Sequence, residues 1–125
     1  MNFVLDNSAA IEAMTRPRTL ILPPGMLFAP ELIDVEFLST MRRLVKHGEL
    51  SQERARGFID AWQSSPVRRT EHAPLIDRAW EHRDTISAYD AFYVALAERL
   101  RLPLITADGR LARAASAHCE VVVLD

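Results

Sequence analysis

Short apolar runs alternate with longer helical patterns along this chain. Four of the runs are the stronger candidates, and several of these are rich in β-branched residues, which is typical of strands buried on both faces of a sheet. They are Phe3–Leu5, Met26–Ala29, Leu104–Ile105 and Val121–Leu124, and Val67–Thr70 is a weaker, more exposed candidate. Helical patterns lie between the runs, at about 7–15, 31–47, 51–64, 73–83, 88–101 and 109–117.

Strands that alternate with helices predict a three-layer α/β/α domain around a central, mostly parallel sheet of about five strands. Pro30 suits a first helical turn, Gly48 a helix end and Ser51 an N-cap. No linker, repeat or low-complexity segment interrupts the pattern, so we expect residues 1–125 to form one domain.

Composition narrows the class of protein. A chain of 125 residues with 49% hydrophobic residues can bury a sizeable core. The net charge of -2 does not favour binding of nucleic acid by the whole surface, so any such binding needs a local basic patch. The histidines, at 47, 72, 82 and 118, lack the spacing of a zinc motif, and a zinc site is not predicted.

Cysteine use and hydropathy predict a cellular location. Cys119 is the single cysteine, which excludes an internal disulfide. The opening residues lack a basic leader, and no stretch approaches the roughly 18 apolar residues of a membrane span. We therefore expect a cytoplasmic protein without a membrane partner.

Four acidic residues stand where a packed domain would not ordinarily place them. Asp6 directly follows the first strand and Asp108 closely follows the fourth, and ligands of open α/β sheets bind beyond such carboxyl ends. Glu36 borders the apolar stripe of its helix, and Asp90 lies at the edge of the apolar stripe of a later helix. These stripes are Ile33, Phe37 and Leu44 for Glu36, and Tyr89, Tyr93, Leu96 and Leu100 for Asp90.

Helical acids are usually supported by a base three or four positions away, and none of these four is. Ordinary solvated pairs of that kind are predicted for Glu12 with Arg16, Glu53 with Arg56 and Glu98 with Arg101. Unpaired carboxylates are costly to bury, so a cluster of them predicts a shared cation. Ligands that are all oxygen suit Mg²⁺ or Mn²⁺, and such an ion can promote hydrolysis of a phosphodiester.

Each acid also has a purely structural interpretation. Asp6 and Asp108 could cap the helices that follow them, and Asp90 could close a capping box with Ser87. Glu36 could pair with Arg43 about two turns away, or with a base from another element. Similarly, Phe58, Ile59 and Trp62 share one helical face, which is more often core than a groove for a partner peptide.

Three stretches together resemble the PIN-domain ribonucleases, in particular the VapC-type toxins of bacterial toxin–antitoxin systems. They are "FVLDNSA", "APELIDVEFLSTMRR" and "SAYDAFYVALAERLRLPLITAD". The resemblance implies that the four acids, Asp6, Glu36, Asp90 and Asp108, are catalytic metal ligands for Mg²⁺, with Mn²⁺ as a substitute. It also implies supporting roles for Ser8 and Thr106.

The resemblance further implies endonucleolytic cleavage of structured RNA, tRNA or rRNA, which would inhibit translation. A VapB-like antitoxin and a second copy of the chain are the implied protein partners. Candidates for contacts with the RNA backbone are Arg16, Arg18, Arg42, Arg43, Arg110 and Arg113. Two other functions stay open at this point: a non-catalytic RNA- or partner-binding module with a PIN-like fold, and a phosphotransfer enzyme on an α/β sheet.

Overall fold

A five-stranded parallel sheet forms the centre of the molecule. The computed structural model describes residues 1–16 and 22–124. In sheet order the strands are β3, β2, β1, β4 and β5, and every neighbouring pair is parallel. Their bounds are Phe3–Leu5 for β1, Leu27–Pro30 for β2, Arg68–Thr70 for β3, Leu104–Thr106 for β4 and Val121–Val123 for β5.

Helices cover both faces of this sheet. They are α1 (Asn7–Thr15), α2 (Leu32–Lys46), α3 (Gln52–Gln63), α4 (Ile76–Glu81), α5 (Ala88–Leu100) and α6 (Gly109–Ala115). The helices α1, α2 and α3 contact one another, while α4 packs on α5. From β1 to β3 the chain adds strands toward one edge of the sheet, and after β3 it crosses back and adds them toward the other edge. Because the connections between parallel strands are right-handed, the two groups of helices lie on opposite faces. The predicted three-layer fold is confirmed, and within the described residues its sheet is wholly parallel.

The middle of α5 is buried on all sides. It contacts β1, β2 and β4 and also α4, and residues 93–97 are each at most 1% exposed. The predicted stripe on this helix is therefore partly wrong, since Tyr89 is 67% and Leu100 38% exposed. Periodicity marks one apolar face, and it does not describe a helix that packs between a sheet and a second helix.

Local boundary signals were mostly correct. Gly48 ends α2 with a φ of 72°, and the Ser51 side chain accepts a 3.1 Å hydrogen bond from the Arg54 N–H as the N-cap of α3. The placement of Pro30 in a first helical turn was wrong, because it is the last residue of β2 and pairs with Thr70. The segment predicted as helix 73–83 begins as a 3-10 turn, Ala73–Leu75, before α4.

Among the helices of the described ranges, none combines the length and the apolar character that crossing a bilayer would require.

Candidate active site

The carboxyl ends of β1 and β4 meet at the centre of the sheet. These strands pair in register, Leu5 with Ile105, and the Asp6 N–H donates a 3.1 Å hydrogen bond to the Ile105 carbonyl. The chain runs from β1 to β2 on one side and reaches β4 on the other, so this is the point where the strand order reverses. Asp6 and Asp108 therefore lie at the place where α/β sheets bind ligands.

Both carboxylate oxygens of Asp6 are fixed by hydrogen bonds. Its Oδ1 accepts from the Ser8 hydroxyl at 2.7 Å and from the Ala9 N–H at 2.9 Å, and its Oδ2 accepts from the Thr106 hydroxyl at 2.5 Å. The residue is only 4% exposed. This carboxylate is consequently held in one orientation at the base of the site.

The hydroxyls of Ser8 and Thr106 also tie the two strand ends together. Ser8 Oγ accepts a 2.9 Å hydrogen bond from the Ala107 N–H, and Thr106 Oγ1 accepts a 3.0 Å hydrogen bond from the Asp108 N–H. The two hydroxyl oxygens lie 3.1 Å apart. Since each hydroxyl has one proton and gives it to Asp6, this last approach is a polar contact between acceptors. Both residues thus have the geometry that a supporting role would need.

Glu36 reaches the same site from α2 and is held by a residue of α5. The Tyr93 hydroxyl donates a 2.6 Å hydrogen bond to Glu36 Oε1, so this contact takes the place of the pairing with Arg43 that the sequence left open as an alternative. One turn below, the Thr40 hydroxyl donates to the Glu36 carbonyl at 3.1 Å and accepts from Asn7 Nδ2 at 3.2 Å. Asn7 Oδ1 is buried and has no partner in the described part of the chain.

The N-cap interpretations of Asp6 and Asp108 hold at the same time as the clustering of the acids, and of the capping box predicted for Asp90 the bond to Ser87 Oγ is present. Asp6 caps α1, and Asp108 Oδ1 accepts from the Arg110 N–H at 2.9 Å to cap α6. The Ser87 hydroxyl accepts from the Asp90 N–H at 3.3 Å to cap α5. A carboxylate that caps a helix can therefore still lie at the site, and its charge still acts there.

Burial raises the pKa of three of the acids. It brings the pKa of Asp6 to about 6, and the nearby charge of Asp90 contributes in the same direction. Burial followed by repulsion from Asp90 raises the pKa of Glu36, and burial followed by repulsion from Asp108 raises the pKa of Asp90. The carboxylates therefore repel one another, and a bound cation would relieve both costs.

The four predicted acids line one pocket of about 370 Å³, which we call the acid pocket. Its other lining residues are Asn7, Ser8, Ile11, Glu12, Thr40, Arg43, Tyr93 and Ala107. A second pocket of about 640 Å³ shares Asp90 and Asp108 with it and adds Arg110 and Arg113. The two pockets thus adjoin at these two acids, and basic side chains lie on both sides of them.

The donors of the acid pocket fit a hard divalent cation. Its lining offers carboxylates and the unpartnered Asn7 Oδ1, and it includes no histidine or cysteine. In the described part of the chain, three ligand atoms come within 4.8 Å of one another at His82, Glu98 and His118, and at no three of the four acids. The acids would accordingly hold an ion partly through water, as Mg²⁺ commonly requires.

The predicted RNA-binding arginines divide among several places. Arg43 lines the acid pocket, whereas Arg110 and Arg113 line the pocket beside it. Arg16 pairs with Glu12 at 2.7 Å, as the sequence predicted. Arg42 lines a separate groove between α2 and α3, and Arg18 lies outside the described residues.

Sequence reasoning missed Asn7, Thr40 and Tyr93 as members of the site. The signal for Tyr93 was its position three residues after Asp90, which puts both side chains on one side of α5. Its place in the predicted apolar stripe suggested an ordinary core residue, and the structure does bury it, at 1% exposure. Its hydroxyl becomes part of the site only because α2 packs close enough to bring Glu36 within hydrogen-bonding distance.

Comparison with known proteins gives this site a family. Residues 3–117 match the family model of the PIN domain. The VapC ribonuclease Mb0985 of Mycobacterium bovis is 40% identical over 124 residues, which cover 97% of each chain. Ribonuclease VapC1 of Mycobacterium tuberculosis is 38% identical over 125 residues, covering 94% of each chain.

Solved structures share the fold. PAE2754 from Pyrobaculum aerophilum superposes with a TM-score of 0.77 at 21% identity, covering 98% of this chain and 92% of that one. VapBC2 from Rickettsia felis, solved with a DNA fragment from its promoter, gives a TM-score of 0.71 at 13% identity over the whole of both chains. The family model and the curated relatives together show that the chain belongs to the PIN-domain family, among the VapC ribonucleases.

Proposed function

We propose that this protein is a metal-dependent endoribonuclease and the toxin of a toxin–antitoxin pair. Its substrate would be structured RNA, tRNA or rRNA, and cleavage would inhibit translation. The observation that carries the proposal is the convergence of Asp6, Glu36, Asp90 and Asp108, from four separate elements, on one pocket. The names of the curated relatives, which are ribonucleases, point to the same class of reaction.

The acid pocket would hold Mg²⁺, or Mn²⁺ in its place, through its carboxylates. Such an ion, when bound, offsets charge on a scissile phosphate and lowers the pKa of a bound water. The chain itself supplies position. Hydrogen bonds from Ser8, Ala9 and Thr106 fix the Asp6 carboxylate, and Tyr93 fixes that of Glu36.

Basic residues on the two sides of the acids would orient the RNA. Arg43 lies on one side, and Arg110 and Arg113 lie on the other. Contacts of this kind with phosphates position a strand without reading its sequence. A strand laid across Asp90 and Asp108 would therefore be anchored upstream and downstream of the bond to be hydrolysed.

The decisive experiment is cleavage of total cellular RNA by the purified protein, with mapping of new 5′ ends. We expect discrete cuts with Mg²⁺, no cuts with EDTA, and a loss on the order of 100-fold or more in Asp6→Asn. Asp77→Asn, an exposed acid of α4, is the matched control and should cleave normally. RNA binding without cleavage by a folded, metal-binding protein would instead favour a non-catalytic module.

An apolar groove between α2 and α3 supports the proposal of an antitoxin partner. It measures about 640 Å³ and is lined by Leu38, Met41, Arg42, Val45, Lys46, Gln52, Ala55, Arg56 and Ile59. The sequence left open whether Phe58, Ile59 and Trp62 form core or groove, and the answer is divided. Trp62 stacks on Phe37 at 4.9 Å between ring centroids, while Ile59 lines the groove.

We propose that an amphipathic segment of the antitoxin fills this α2–α3 groove. Its apolar residues would contact Leu38, which is 51% exposed, and its acidic residues would meet the basic side chains at the edge. Leu38→Asp should abolish co-purification with the antitoxin. Ile76→Asp, which changes a side chain of similar exposure on α4, should not. Equal loss in both variants would contradict this placement.

Formation of a homodimer and a cytoplasmic location stay predictions from the sequence. Sedimentation of the purified protein without its antitoxin would test the first of them.

A further inference from the structure

A second cluster of potential metal ligands lies away from the acid pocket. His82 caps the end of α4, Glu98 is in the last turns of α5, and His118 lies between α6 and β5. One ligand atom from each comes within 4.8 Å of the others. Glu98 follows Asp90 by eight residues on the same helix, so the two sites are about 12 Å apart along its axis.

The tertiary structure creates this histidine cluster by overriding a local pairing. The sequence predicted that Glu98 pairs with Arg101, and this is wrong: Glu98 accepts from Arg78 Nη2 at 2.7 Å and lies 2.7 Å from His82 Nε2. Burial would raise the pKa of Glu98, but hydrogen bonds from Arg78 and His82 outweigh it and lower the pKa. Glu98 is thus ionised, as a metal ligand must be.

A partly buried hydrogen-bond network accounts for Arg78, Glu98 and His82, but it leaves His118 unexplained. The two imidazole rings lie 4.4 Å apart between centroids at 66°. In the described part of the chain, His118 makes this ring contact and no hydrogen bond through its ring nitrogens. An imidazole that faces a second imidazole and a carboxylate, with a free nitrogen, is placed as a ligand would be.

We propose that His82, Glu98 and His118 bind a transition-metal ion of the Zn²⁺ class. Two imidazoles and one carboxylate, with water in a fourth position, form a known zinc coordination set. Bonds of about 2.0–2.1 Å place tetrahedral ligand atoms about 3.4 Å apart, so small side-chain movements would complete the site. The nitrogen donors distinguish it from the acid pocket, where all donors are oxygen.

The surroundings of the cluster are suited to this role. The ion would replace the contact between Glu98 Oε1 and His82 Nε2. Arg78 donates to Oε1 through Nε at 3.1 Å and to Oε2 through Nη2 at 2.7 Å, and so orients the carboxylate. A pocket of about 330 Å³ lined by Glu98 and His118 gives access from solvent. Cys119 also lines this pocket, but its sulfur is not among the three ligand atoms that lie within 4.8 Å of one another.

The role of such an ion would be structural. It would join the end of α4, the end of α5 and the segment before β5, which belong to three separate parts of the sequence. Binding to the folded chain alone stabilises it by mass action. The inference is independent of the proposed ribonuclease activity, since neither the RNA path nor the acid pocket uses these side chains.

Calorimetric titration of the untagged protein with Zn²⁺ tests the proposal, in a large excess of Mg²⁺ that saturates the cation site proposed in the acid pocket. We expect one equivalent to bind, with a rise in the midpoint of thermal unfolding. His118→Ala should weaken binding at least about tenfold, and because His118 is exposed this variant should fold normally. His47→Ala, an exposed histidine at the end of α2, and Asp6→Asn should both bind as the wild type does.

A second readout identifies the ligands. Co²⁺ bound in place of Zn²⁺ should give the visible absorption of a four-coordinate site without a thiolate charge-transfer band. Either of two results would overturn the proposal: no binding of Zn²⁺ by the wild type, or the same affinity in His118→Ala as in His47→Ala. Loss of RNA cleavage in Asp6→Asn with retained Zn²⁺ binding would show that the two sites fail separately.

Discussion

The Tyr93 hydroxyl donates a 2.6 Å hydrogen bond to Oε1 of Glu36, and this contact joins α5 to α2 at the acid pocket. Tyr93 is buried, and both burial and the Glu36 carboxylate raise the pKa of its hydroxyl, which therefore always carries its proton. A permanent donor beside a carboxylate orients that carboxylate. Tyr93 is accordingly a positioning residue for Glu36.

Tyr93→Phe should leave the fold intact and reduce RNA cleavage by about 10–100-fold. That is the usual effect of removing the hydrogen-bond partner of a metal ligand, which is the role proposed for Glu36. The loss should be partly restored by raising the Mg²⁺ concentration, which a purely structural defect would not show. Activity measured across a Mg²⁺ titration tests this. Tyr89→Phe removes an exposed hydroxyl one turn earlier and should behave as the wild type does.

The pKa of Asp6 makes the stability of the metal-free protein depend on pH. Its folded-state pKa of about 6 is above the unfolded value of 3.8, so the folded chain binds the proton more tightly. The resulting stabilisation is complete below about pH 4 and is lost as the pH rises through about 6. Two pKa units correspond to about 3 kcal/mol in the free energy of unfolding.

Urea denaturation in EDTA at about pH 4.5 and about pH 7.5 would measure this dependence. Asp6→Asn lacks the titrating group and should lose much less stability over the same interval. Parallel pH profiles for the two proteins would contradict the assignment of the shift to Asp6. Asp77→Asn, an exposed acid, controls for the loss of one charge.

Thr106 should be needed for its hydroxyl and not for its volume. The side chain is fully buried, donates to Asp6 Oδ2 and accepts from the Asp108 N–H. Thr106→Val keeps the shape but leaves Asp6 Oδ2 and the Asp108 N–H without this partner. We expect this to lower the free energy of unfolding by about 1–3 kcal/mol. Thr106→Ser keeps the hydroxyl, so its stability and its cleavage rate should both lie nearer to those of the wild type.

The adjacent residues Arg42 and Arg43 should have different functions. Arg43 lines the acid pocket, and Arg42 lines the α2–α3 groove. Arg43→Ala should weaken RNA binding and reduce the slope of log affinity against log salt by about one, while antitoxin binding is retained. Arg42→Ala should weaken antitoxin binding and leave RNA binding and its salt dependence unchanged. RNA binding measured without Mg²⁺ at several salt concentrations, beside co-purification of the antitoxin, distinguishes them.

Arg110 should both bind phosphate and tune an acid. It lines the pocket that shares Asp90 and Asp108, and its charge opposes the rise in the pKa of Asp90. Arg110→Ala should therefore weaken RNA binding and also move the pH for half-maximal cleavage upward. Arg101→Ala, an exposed arginine at the end of α5, should change neither quantity. A loss of binding with an unchanged pH profile would limit Arg110 to a contact with RNA.

The sequence by itself determined the features that depend on neighbouring residues. Apolar runs that stop at Asp6 and near Asp108 predicted two buried strands and the sheet edge where a site forms. The cap at Ser51 and the turn at Gly48 followed from backbone chemistry within a few residues. The absence of a local base beside four acids predicted their clustering, and the structure places all four in one pocket.

Only the tertiary structure decided which distant side chains meet. Glu36 and Tyr93 are 57 residues apart in the chain. Glu98 bonds to Arg78 and His82, which are 20 and 16 residues away, and not to Arg101, the nearby partner that the sequence predicted. Histidines without a zinc spacing come together in the same way. Periodicity reports one helical face at a time, whereas the partners of a buried polar group depend on how the helices pack against the sheet.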